Sequence, residues 1–113
     1  MENTAQLEKL DTSFDEMWKT GEYGSPFREV YNRLRPDIAE LGFTSCFVDM
    51  SNLRMRIEFI LFYDTGLQIS VARQLGEDEV DFFAISRNKK KIIIAQMQHS
   101  ALMAKLKEVE QLA

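Results

Sequence analysis

The chain has 113 residues with 45% apolar and 28% charged side chains, and 14 Lys and Arg against 18 Asp and Glu leave a formal net charge of −4. Such a length and mix fit one globular domain spanning 1–113 that buries its own core, and they set aside disordered, collagen-like and disulfide-scaffold chains. The acidic balance argues against a general polyanion binder, so nucleic acid is not an expected partner.

From Leu7 to Trp18 the apolar positions Leu7, Leu10, Phe14, Met17 and Trp18 advance in steps of three and four, which predicts an amphipathic helix with Thr4 as candidate cap and Gly21 as stop. Ser25-Pro26 reads as the start of a second helix. Phe27, Val30, Tyr31, Leu34, Ile38 and Leu41 hold one face of it across Pro36, where a kink or short break at Arg35 is expected, and Gly42 ends it. From Phe43 the period changes to two. Phe43 to Asp49 is a short strand with Cys46 among its apolar positions. Ser51-Asn52 is a turn, and Leu53, Met55, Ile57, Phe59, Leu61 and Tyr63 alternate with Arg54, Arg56, Glu58, Ile60 and Phe62 as the clearest strand. Leu67 to Arg73, Val80 to Ser86 and Lys91 to Ala95 continue a meander through turns at Asp64–Gly66, Gly76–Glu79 and Arg87–Lys90. Leu102, Leu106, Val109 and Leu112 form the apolar stripe of a closing helix. The expected fold is α+β, an antiparallel meander of four to five strands with two N-terminal helices and one C-terminal helix on one face.

Ile60 to Gly66 ends in Asp64-Thr65-Gly66 and resembles the motif of retroviral-type aspartic proteases over about seven residues. That resemblance would imply an almost wholly β subunit whose Asp64 pairs with its copy to share a proton across a dimer. The chain departs from the motif at Leu67, offers no second apolar-apolar-Gly loop and begins with roughly forty helical residues, so Asp64 to Gly66 is read as a hairpin turn. Arg87, Lys89, Lys90 and Lys91 are read as a solvated hairpin tip that discourages edge pairing of the last strand. Glu77, Asp78, Glu79 and Asp81 lack the alternating spacing of a calcium loop. His99 is the sole histidine and is read as a polar cap beside a helix start, while Cys46 is read as a small buried hydrophobe. Neither a triad, a phosphate loop nor a metal-ligand spacing emerges, so no catalytic residue, metal or cofactor is expected.

One cysteine closes no intramolecular disulfide, the apolar runs fall short of the roughly 18 residues of a membrane helix, and Met1-Glu2-Asn3-Thr4 has no secretory pattern; a cytoplasmic protein off the membrane is expected. The leading functional expectation is a non-catalytic interaction module, of adaptor, inhibitor, immunity or chaperone type. It would bind a protein, for which the nine acids and five bases of residues 1–42 favour a basic one, or a second copy of itself. Its surface candidates are Trp18 and Tyr23 near the first helix end and Arg54, Arg56, Glu58, Ile60 and Phe62 on the sheet face away from the helices. That face is otherwise expected to be polar, with Gln68, Ser70 and Ala72. The alternative is a small-ligand domain with a pocket between the second helix and the sheet, where Arg54, Arg56 or Arg73 meets an anionic group; Arg87, Lys89, Lys90 and Lys91 are the other anion-contact candidates.

Overall fold

A computed structural model describes residues 2–19, 24–51 and 55–113, with side chains for 5–16, 27–51 and 55–113. Helices α1 (Glu2–Lys19) and α2 (Gly24–Ala39) precede five strands, β1 (Ser45–Ser51), β2 (Arg56–Phe62), β3 (Leu67–Gln74), β4 (Glu79–Ser86) and β5 (Lys91–Gln98). A short 3₁₀ turn at His99–Ala101 then leads into α3 (Leu102–Glu110). The strands form one antiparallel sheet in the order β1-β2-β3-β4-β5, each paired with its chain neighbour. The α-α-β5-α layout expected from the two periodicities is the one found.

Parity along each strand divides the sheet into two faces. The inner face carries Cys46, Ile57, Phe59, Leu61, Ile69, Val71, Val80, Phe82 and Ala84, all buried against the helices. Above it Phe27, Val30, Tyr31, Leu34 and Ile38 of α2, Leu7 and Phe14 of α1, and Leu102, Leu106 and Val109 of α3 complete the core. Tyr31 sits at the junction, with its ring centroid 5.3 Å from both Phe14 and Phe59. Burying such rings stabilises by roughly 1.5–3 kcal/mol each, so this junction contributes much of the helix-to-sheet adhesion.

Polar ties fix the helices on that layer. Tyr31 Oη donates to Asp11 Oδ1 at 2.7 Å, and the Arg35 guanidinium grips the same carboxylate from Nε at 2.8 and 2.9 Å and from Nη2 at 2.7 Å, joining α1 to α2. Burial, then the bond to Asp11, push the Tyr31 phenol well above its ordinary range. At the other end Glu110 Oε2 accepts from the Gly42 amide at 2.7 Å and from Tyr63 Oη at 2.6 Å, tying the last turn of α3 to the α2–β1 connection and to the end of β2.

Several local expectations are corrected. Helix α1 already begins at Glu2, so Thr4 lies inside it and not at its cap. Helix α2 runs without a break through Pro36. Only its last turn follows, and Asn32, whose carbonyl loses the proline's missing donor, lies on the exposed side with Pro36. Strand β2 begins at Arg56: Met55 has φ 47°, a left-handed conformation that ends strand geometry, and Leu53 and Asn52 lie outside the described residues. Strand β5 extends three residues past Ala95 because Gln96, Met97 and Gln98 pair with Asp81, Val80 and Glu79. The hairpin at Asp64–Gly66 is as read: Gly66 has φ 90°, its amide donates to the Tyr63 carbonyl, and the Tyr63 amide donates to Leu67 across the turn.

Candidate functional site

The outer face of the sheet is the surface that the fold leaves uncovered, because all three helices pack on the other side. Register sorts its side chains into four rows across the strands. The first row is Ser45, Phe62, Gln68, Ile85 and Ile92, and the second is Phe47, Ile60, Ser70, Phe83 and Ile94. The third is Asp49, Glu58, Ala72, Asp81 and Gln96, and the fourth is Ser51, Arg56, Gln74, Glu79 and Gln98. Half of this face is therefore mainly apolar and half is mainly polar, the second holding four carboxylates to one guanidinium. The expectation of a polar face holds only for the second half.

In the apolar half, Ile94 is 79% exposed, Ile92 62% and Phe47 59%. Phe47 and Phe62 meet edge to face, with centroids 5.8 Å apart. The central strand contributes only short or polar side chains, so buried Ser70 leaves a depression between larger neighbours. The result is an open groove of about 470 Å³, walled by Phe83 and Ile94 at one end and by Arg56, Glu58 and Asp81 at the other. Within it Arg56 Nη2 lies 3.4 Å from Asp81 Oδ2, and Gln96 Nε2 donates to Asp81 Oδ1 at 3.2 Å.

Of the predicted surface residues, Arg56, Glu58, Ile60 and Phe62 stand together on this face, as alternate members of β2. Trp18, Tyr23 and Arg54 lie outside the side chains described. Phe47, Phe83, Ile85, Ile92 and Ile94 share the patch and were missed. Their signal was opposite parity: Phe47 alternates against Cys46, and the run Ile92-Ile93-Ile94 hides which members point outward until β5 is registered on β4.

The anion-contact candidates are not brought together. Arg87, Lys89, Lys90 and Lys91 are exposed at the β4–β5 tip. Arg73 lies near the opposite end of β3, on the inner face, and is only 7% exposed. Its Nη1 donates to His99 Nδ1 at 2.5 Å, its Nη2 lies 3.5 Å from Asp78 Oδ1, and His99 Nε2 in turn donates to Asp37 Oδ2 at 2.7 Å. Burial first, and then the neighbouring Arg33, pull the Arg73 guanidinium below its ordinary value. His99 is thus no helix cap: with both ring nitrogens engaged it links β3 to α2, and no side chain caps α3. Arg56 and Arg73 differ in parity and face opposite sides of the sheet, so they cannot converge on one anion. The space expected to hold a pocket between α2 and the sheet is filled by Tyr31, Leu34 and Ile38 against Ile57, Phe59 and Val71.

No known protein family, curated protein or solved structure matches this chain. Among the described residues no three His, Cys, Asp or Glu side chains gather as a metal site requires, and no helix is long and apolar enough to cross a membrane. Cys46 is buried on the inner face, which pushes its thiol up to about 12, far from the range of a reactive thiolate.

Proposed function

We propose that the chain is a non-catalytic protein-interaction module whose docking surface is the outer face of its sheet. The observation that supports this most is the apolar half of that face, where Phe47 and Phe62 at one edge of the sheet and Ile92 and Ile94 at the other are all exposed in the same two rows. Scattered exposed isoleucines need no explanation, but seven aromatic and aliphatic side chains sharing two rows of one face and bordered by charges have the composition of an interface. Water contact with it is unfavourable by roughly 25 cal/mol per Å² of apolar area, and burial against a partner recovers that term. The carboxylates of Asp49, Glu58 and Asp81 beside the patch select against acidic partners and steer basic ones. They also bear on the small-ligand alternative, because the groove's one described cation, Arg56, already faces Asp81, leaving an acidic lining that disfavours an anionic molecule.

The test compares two baits, the wild-type chain and the Phe62→Asp/Ile94→Asp variant, in affinity capture from native extract. Both substituted side chains are exposed, so the variant is expected to keep the wild-type circular dichroism spectrum. Proteins held by the wild type and absent from the variant are the expected result. Identical captured sets on both baits contradict the assignment of this face.

A further inference from the structure

Resting on the reading of the outer face as a docking surface, we infer that this face pairs with the same face of a second copy of the chain, sheet against sheet with the strands of the two copies running in reversed sense. The inference comes from the order of side chains along the strands. Beyond the first apolar row lies the β4–β5 tip, where Arg87, Lys89 and Lys90 are exposed, Lys91 has the core-side parity of its partner Ser86, and Asp64 is the carboxylate at that end. Arg87 belongs to the outer side: with Phe62, Gln68 and Ile85 it lines a concavity of about 310 Å³ at the end of the apolar rows. Beyond the second apolar row come Asp49, Glu58, Asp81 and Glu79, with Arg56 as the cation among them. Each copy therefore reads basic, apolar, apolar, acidic from one end of the face to the other.

A face of this kind is self-complementary about one axis only. A two-fold axis lying between the sheets and parallel to the strands would set carboxylates over carboxylates and the basic tip over itself. Turned perpendicular to the strands and centred between the apolar rows, the same axis sets apolar row on apolar row and brings each basic tip over the other copy's acidic rows. Along β4 the centre falls at Ala84, midway between Asp81 and Arg87, so Arg87 of each copy comes opposite Asp81 of the other. Five strands about 4.8 Å apart and four rows about 6.8 Å apart give a projected face on the order of 600 Å². Side-chain relief raises the accessible area of such a face toward the roughly 800 Å² per partner of a standard interface. Sheets stacked in this way pack about 10 Å apart, the usual arrangement of a sandwich.

The test is sedimentation velocity on the full chain at about 100 µM, a concentration well above a micromolar dissociation constant. The wild type is expected to sediment as a dimer. Arg87→Glu alone and Asp81→Arg alone place like charges at both symmetric contacts, and each is expected to weaken the dimer at least about tenfold. An equimolar mixture of these two variants restores both contacts in a mixed dimer and should recover the wild-type species. Ile94→Asp, at the most exposed large apolar side chain among the described residues, gives a folded monomer that no charge partner rescues. A wild type that stays monomeric overturns the inference, as does a mixture that stays monomeric while the wild type dimerises. If the monomeric wild type still captures proteins that Phe62→Asp/Ile94→Asp does not, only the second copy is excluded and the docking surface stands. If the two baits behave alike, both readings fall.

Discussion

Phe59→Ala lowers the free energy of unfolding by about 3–5 kcal/mol, the cost of removing a buried ring and leaving a cavity that the surrounding sheet closes only in part. Phe59 is fully buried at the middle of β2, between Val48 and Val71, and its ring meets Tyr31 of α2. Because a domain of this size has a stability of about 5–15 kcal/mol, the variant loses a large fraction of it. Urea denaturation should show the midpoint falling with little change in slope. Ile94→Ala, on the opposite face and three strands away, should shift stability by no more than about 0.5 kcal/mol at a protein concentration low enough to keep the chain monomeric. Equal losses from the two substitutions would mean that the outer face is covered in the monomer.

Arg73→Met is expected to cost about 2–4 kcal/mol although methionine fills much of the same space. The loss has a chemical origin: His99 Nδ1 is left as a half-buried acceptor without its donor, and the link from β3 through His99 to Asp37 of α2 is severed. Arg73→Lys keeps the charge but not the fork that reaches His99 and Asp78 together, and should fall between wild type and Arg73→Met. In a double-mutant cycle with His99→Ala, a coupling of about 1–2 kcal/mol is expected, since once either partner is gone the other has little more to lose. Additive effects would show that the two side chains do not act as a unit.

Helix faces and strand order were legible because period alone carries them. All six apolar residues assigned to one face of α2 are buried, and Cys46, Leu102, Leu106 and Val109 lie in the core as their spacing required. Features set by contacts between distant segments were not legible. His99 looked like a cap because its neighbours in sequence begin a helix; its partners Asp37 and Arg73 are 62 and 26 positions away. Arg73 reads from sequence as an anion contact in a pocket between α2 and the sheet, but its buried guanidinium is taken up by His99, a residue 26 positions away, and by Asp78. The functional patch was legible only through its β2 members. Ile60 and Phe62 break the polar alternation of that strand visibly, whereas Phe47 and Ile94 join them only once register lays β1 and β5 alongside.

The eight isoleucines provide the most direct check on the central claim, because they divide evenly between the faces. Ile60, Ile85, Ile92 and Ile94 are on the outer face, and Ile38, Ile57, Ile69 and Ile93 are on the core side. A methyl NMR dilution series on the isoleucine-labelled chain, repeated with any captured protein, should shift or broaden the first four signals and leave the second four in place. Changes centred on Ile38 and Ile57, or no change at any of the eight on association, would contradict the assignment of the open sheet face as the binding surface.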